Sequence, residues 1–270
     1  MTTKYTANLP KVFTLWVAAC LAILLGTSLP CAAAGRVDLT VSAAISLMNA
    51  LQSIRPLYRR TTPGVSISLN LGASGILEEQ IKQGAPVDVF ISASPQEMNG
   101  LEKTGLLVPG TRENLLANTL VLISPKGSDA VTGFKSLATP QVRRVAIAEP
   151  ESVPAGTYAR QTLEYLKLYS LIEPKLIFAA NVRQVLAYVE TDNVDAGFVY
   201  TTDAAITNRV KVVATAPPPS HEPIVYPVAV VKGTRHIRAA EAFVRFLSAP
   251  EAQQAFRRAG FLPAADRRKP

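Results

Sequence analysis

Apolar residues in this chain recur by turns at every second position and at every third or fourth, and the switching predicts strands alternating with helices. Val37 to Ala43 reads as a strand, after which Leu47, Ala50, Leu51, Ile54, Leu57 and Tyr58 recur at helical spacing. Val65, Ile67, Leu69 and Leu71 alternate with polar neighbours as a half-buried strand does. A helix from about Gly75 to Gln83, stopped by Gly84, leads to the apolar strand Val87 to Ser92. Asn118 to Ser124 is a further strand, ended by Pro125. The second half repeats the pattern with strand Arg144 to Ala148, helix Tyr158 to Leu168, helix Val182 to Glu190 and strand Ala196 to Tyr200. Val225 to Val231 is one more strand, and two amphipathic helices, Ile237 to Leu247 and Pro250 to Arg258, close the chain. This order predicts an α/β fold of two lobes with largely parallel strands.

Where a strand gives way to a helix, the first N–H groups of the helix lack partners. The segment EPESVPAGTYA, Glu149 to Ala159, is such a junction. Pro154 suits the first helical turn, where its missing N–H is not needed, and Ala155, Gly156 and Thr157 put no bulky side chain over the helix mouth. An open helix start binds anions, although an ordinary capped helix reads the same in isolation. Ser46 and Ser74 precede the first two helices, each offering a backbone N–H and a hydroxyl, or simply a cap. Val182 follows Asn181, a good N-cap, with Gln184 completing an approximate capping box. Tyr200 ends a strand and adds a phenolic donor. All five positions fall at carboxyl ends of strands, the edge at which open α/β sheets bind ligands.

Composition narrows the chemistry. Lys4 and Lys11, the apolar run Val12 to Leu29 and Ala32-Ala33-Ala34 read as an export signal over residues 1–34. The run is also long enough for a membrane anchor, which needs about 17 to 25 residues. Val17-Ala18-Ala19-Cys20 resembles a lipobox, yet apolar residues follow Cys20 where a tethered protein would carry a polar linker, so soluble export is the first expectation. Both cysteines, Cys20 and Cys31, lie in this leader, leaving residues 35–270 without a thiol for a disulfide, a metal or a nucleophile. Without Lys4 and Lys11 the 28 basic residues become 26 against 20 acidic, a mildly basic balance with no run of like charge beyond the end at Arg267-Arg268-Lys269.

The hydrolase parts are missing: there is no G-x-S-x-G, and His221 and His236 sit in polar, solvent-facing segments. Glu78-Glu79 and Glu149/Glu151 read as a helix surface and a loop. No helix-turn-helix is present, so nucleic acid is not an expected partner.

The chain resembles the periplasmic molybdate-binding component of molybdate ABC transporters. The resemblance rests on VSAAISLMNAL (41–51), LGASGILEEQIKQGAPVDVFISAS (71–94), NTLVLISPK (118–126), EPESVPAGTYA (149–159), NVRQVLAYVE (181–190), DAGFVYTTDA (195–204), VKVVAT (210–215) and YPVAVV (226–231), in the family's order, and on the final helix through Phe261. It implies two lobes, 35–116 with 225–270 and 117–224, joined by hinge strands and closing on one tetrahedral oxyanion. Carried over by motif, the ligand-binding residues are Ser46, Ser74, Ala155, Val182 and Tyr200. The resemblance further implies molybdate or tungstate as ligand, with molybdenum present only as the oxyanion, no cofactor, no enzyme activity, a monomer, and a membrane permease with its ATPase as partner. A receptor for sulfate, thiosulfate or another tetrahedral oxyanion shares the same logic. Two departures stand out: Gly75 where a serine is common, removing a hydroxyl donor, and Ser94 where an aspartate is common, touching lobe packing or the cleft rim.

Overall fold

The computed structural model describes residues 1–4 and 36–264; the leader with Trp16, Cys20 and Cys31, and the basic end at Arg267 to Lys269, lie outside the described residues. Two sheets organise the chain. The first has the order β11-β4-β10-β3-β1-β2, built from β1 (Val37–Ala44), β2 (Val65–Gly72), β3 (Val89–Ile91), β4 (Glu113–Ala117), β10 (Val225–Val230) and β11 (Leu262–Pro263). The second has the order β7-β6-β8-β5-β9, built from β5 (Leu120–Pro125), β6 (Val145–Ala148), β7 (Leu176–Ala179), β8 (Ala196–Tyr200) and β9 (Val210–Thr215). The chain passes from the first sheet to the second between Ala117 and Leu120 and returns between Thr215 and Val225.

The sheets are mixed, where largely parallel ones were expected. β1 pairs parallel with β2 and β3, and β6 parallel with β7 and β8. A parallel pairing needs a crossover connection, which the intervening helices supply. The strands that carry the chain between sheets come without such a crossover, and they pair antiparallel: β10 with β3 and β4, β5 with β8 and β9.

The helices are α1 (Met48–Thr61), α2 (Ser74–Lys82), α3 (Pro95–Lys103), α4 (Pro154–Tyr165), α5 (Tyr169–Ile172), α6 (Val182–Glu190), α7 (Thr201–Ala204), α8 (Ile237–Leu247) and α9 (Pro250–Arg258). In α1 the buried residues are Ala50, Leu51, Ile54 and Tyr58, the stripe its spacing predicts. Tyr58 packs its ring against Phe243 and Phe246 of α8, each with centroids 5.0 Å away. The helix expected over Tyr158 to Leu168 begins at Pro154 and ends at Tyr165, and Lys167 then turns left-handed at φ 57°. Helix α3 and strands β4, β7 and β9 were not predicted. In α3 only Met98 and Leu101 supply buried apolar side chains, too few for a period to show.

One core of buried aliphatic and aromatic residues runs beneath both sheets, with a smaller one of Leu77, Ile81, Phe90, Met98 and Leu101 under α2 and α3. Each such side chain buried adds about 1.5 to 3 kcal/mol, so the fold holds without a disulfide.

Candidate functional site

The carboxyl ends of the parallel strands in the two sheets open onto one cavity. Ser46, Ser74, Ala155, Val182 and Tyr200 all line it, together with Ala44, Gly72, Ala73, Ala93 and Pro154. Its volume is about 10 Å³, far below that of a drug-sized pocket. None of the five named residues is more than 3 % exposed, and none of the lining residues carries a charge.

Each position is delivered by a strand end. β1 runs into a 3₁₀ turn, Ile45–Leu47, that presents Ser46 ahead of α1. Ser74 is the first residue of α2, Ala155 the second of α4 behind Pro154, and Val182 the first of α6, so their N–H groups have no acceptor within their own helices. The start of α4 is seated directly on the end of β6. A Cβ on Gly156 would come within 2.1 Å of the Ala148 carbonyl oxygen, so only glycine fits there. Asn181 caps α6 by accepting from the Gln184 N–H at 3.0 Å. The Gln184 side chain returns to the N–H of Ala180, one residue earlier than in a standard capping box.

The two serines do not cap their helices. Ser74 Oγ accepts from the Ala93 N–H at 3.0 Å. Ser46 Oγ lies 3.0 Å from the Tyr226 hydroxyl, a bond in which either oxygen can donate, and Tyr226 in turn meets Asn118 at the crossing from β4 to β5. Asn118 Oδ1 accepts from the Thr119 N–H at 2.9 Å, which fixes the amide's orientation. Its Nδ2 then donates to Thr202 Oγ1 at 2.9 Å and to the Tyr226 oxygen at 3.3 Å. Asn118 Nδ2 cannot accept, so of these two neighbours only Ser46 Oγ can take the Tyr226 hydrogen. The Ser74 oxygen accepts within the protein, which leaves its hydrogen free to donate, and Ser46 shares that arrangement when Tyr226 donates to it. The Tyr200 hydroxyl is buried and has no partner among the described residues. Burial pushes both Tyr200 and Tyr226 well above the usual phenol range, so each keeps its proton.

The two departures resolve differently. Gly75 gives its N–H to the Ser152 carbonyl at 3.0 Å, a bond between the loop ahead of α4 and the start of α2. A Cβ there would stand 2.7 Å from that oxygen and 3.1 Å from Ser152 Cα. Ser94 does not line the cavity. It caps α3 through Gln96 N–H and donates to Glu97 Oε2 at 2.7 Å, and Glu97 also accepts from Ser92 Oγ at 3.0 Å. Burial raises the Glu97 carboxyl above its ordinary range, so an aspartate at 94 would add a second charge where a donor is needed.

His221 and His236 are half-buried, not fully solvent-facing, and neither lines the cavity. His221 lies against the Tyr158 ring, with centroids 5.6 Å apart. Tyr226, Asn118, Arg183 and Asp203 belong to the surroundings of the site and were not singled out from sequence. Their only trace there is a polar group beside an apolar run, and the pairing that gives them meaning is between distant segments.

Comparison with known proteins places this architecture. The model of the bacterial extracellular solute-binding protein family matches residues 39–262. YvgL of Bacillus subtilis (strain 168), named as an ABC transporter substrate-binding lipoprotein, is 41 % identical over 84 % of this chain and 86 % of its own. The molybdate-binding protein ModA of Escherichia coli (strain K12) is 40 % identical over 83 % of this chain and 88 % of its own. The solved structure of the Azotobacter vinelandii periplasmic molybdate-binding protein superposes with a TM-score of 0.76 at 28 % identity, covering 83 % of this chain and 98 % of the other. A two-lobed α/β fold, a family match across most of the chain and relatives near 40 % identity together make this chain a member of the bacterial extracellular solute-binding proteins.

Proposed function

We propose that this protein captures molybdate, with tungstate as a second ligand, between two lobes and delivers it to the permease of an ABC transporter. Ser46, Ser74, Ala155, Val182 and Tyr200 are the ligand-binding residues in this reading, and the lobes are 35–116 with 225–270 and 117–224. The protein works as a monomer, exported to the periplasm as a soluble chain, with a lipid on Cys20 as the alternative mooring.

The observation that carries the reading is the convergence of hydroxyls and helix starts on one uncharged cavity. Ser46, Ser74 and Tyr200 bring three hydroxyls to a buried, uncharged cavity that helix starts also line, with the Tyr200 hydroxyl unpartnered among the described residues and the Ser74 oxygen already accepting from Ala93 N–H. An anion that brings its own proton finds only donors there, so a fully ionised tetrahedral oxyanion is preferred over hydrogen phosphate. Burying a dianion is prohibitive unless every oxygen is hydrogen-bonded. Hydrogen bonds to a charged group contribute about 1.5 to 3 kcal/mol each. Several of them, less the cost of ordering and closure, leave roughly 8 to 12 kcal/mol, which is micromolar to nanomolar binding. The names of the relatives above support molybdate over the other oxyanions.

Calorimetry on the mature protein should find one tight site for molybdate and tungstate and weak or absent binding of sulfate. Native mass spectrometry of protein purified with its ligand reads the bound anion directly. Tight sulfate binding would overturn the specificity. An Ala155→Asp variant should lose the site while keeping its fold by circular dichroism; retained affinity would mean the anion sits elsewhere.

A further inference from the structure

Beside the cavity, and outside the set of donors that line it, two charges are buried together. Arg183 Nε lies 2.6 Å from Asp203 Oδ1, with the aspartate fully buried and the arginine side chain 12 % exposed. Such a pair is a poor source of stability, because desolvation of both groups offsets their attraction. Its placement points to another use. Arg183 directly follows Val182 at the start of α6, and Asp203 lies in α7, the short helix that Tyr200 caps. The same guanidinium sends Nη2 to the Ser46 carbonyl at 3.4 Å, from α6 across to the turn that follows β1. One side chain thereby links the elements that carry three of the five candidate donors, two beside the second sheet and one beside the first.

We propose that Arg183, oriented by Asp203, is a positioning residue for oxyanion capture: it holds the Ser46 turn against the starts of α6 and α7 and so retains the anion once the two halves have met. The proposal rests on the reading of the cavity as an oxyanion site. Asp203 balances the arginine charge, so the pair holds geometry without adding a net charge beside the anion. An arginine is suited to this because its extended planar cation can lie against Asp203 as an ion pair while Nη2 reaches the Ser46 carbonyl, where a lysine ammonium reaches Asp203 as a point charge. Loss of a contact that forms only on closure shows in the rate of release more than in the rate of capture.

The test uses three variants of the mature protein, with molybdate as the probe and stopped-flow tyrosine emission as the readout. Removing one charge alone strands its partner in the interior, so Arg183→Gln combined with Asp203→Asn is the principal variant. It should release molybdate about tenfold faster, with capture within about twofold of the wild type and an unfolding midpoint without anion that is not lowered. Arg183→Lys, which keeps the pair with Asp203, should release faster as well; a structural ion pair alone would be rescued by lysine. Asn118→Ala serves as a reference that disturbs Ser46 through Tyr226 without touching the pair. Unchanged release in both Arg183 variants, with binding intact in the wild type, would overturn the positioning role and leave the oxyanion site standing. Failure of the wild type to bind any tetrahedral oxyanion would overturn the reading of the site, and this proposal with it.

Discussion

The hydroxyl of Tyr200 shows how a single residue can be organised for a ligand at the expense of the empty protein. A buried donor without a partner costs about 1 to 3 kcal/mol, and among the described residues the Tyr200 hydroxyl is left in that state. Tyr200→Phe should therefore lower molybdate affinity roughly ten- to a hundredfold by calorimetry while leaving the anion-free melting temperature unchanged or raised. A fall in both would mean that the hydroxyl serves packing. At this scale the sequence was informative about which residues meet, since all five carried over by motif line the cavity. It was silent on the direction of their bonds. Ser46 and Ser74 were open to being caps, and only the positions of Tyr226 and the Ala93 N–H, far from them along the chain, decide that they are not.

Among elements, the close approaches decide what substitutions the site tolerates. The loop ahead of α4 meets the start of α2 backbone to backbone, through Gly75 and Ser152. A serine at 75 puts its Cβ against main-chain atoms that cannot swing aside, and overpacking of that kind costs about 1 to 3 kcal/mol. Gly75→Ser should accordingly weaken anion binding about tenfold with no loss of anion-free stability, since the halves can part to relieve the contact. Tighter binding would show instead that the missing hydroxyl mattered more than the space. Helices with a strong period, such as α1, α6 and α8, were legible from residue spacing because each buries one continuous face, and β1 as a run buried on both faces. Helix α3 was not: it is held by the Ser94 cap and by Glu97, whose partners Ser92 and Ser94 identify themselves only once folded. The antiparallel pairing of β5 and β10, strands that were themselves legible, was not foreseen for a related reason, as spacing reports burial and not direction.

For the molecule as a whole, the Arg183–Asp203 pair couples stability to pH. Burial lifts the Asp203 carboxyl from an ordinary 3.8 to about 6, with Arg183 opposing that rise. The folded state then binds a proton that the unfolded chain has already released, so this group's contribution is fullest below about pH 4 and is lost as pH climbs through 6. Two units correspond to roughly 3 kcal/mol as an upper bound. Urea unfolding of the wild type and of Asp203→Asn should converge or separate by up to that amount between pH 4 and 7, the wild type losing ground as pH rises; a pH-independent difference would argue that Asp203 stays ionised throughout. Asn118 has a reach of the same kind. Its amide is oriented by one main-chain N–H at the point where the polypeptide leaves the first sheet, and by offering Tyr226 a donor it favours the Tyr226 hydrogen running to Ser46. Reversing that amide would hand Tyr226 an acceptor, draw the serine's hydrogen inward and present a lone pair to the incoming ion. The polarity of the cavity is thus set where the chain crosses between the sheets, outside the cavity itself.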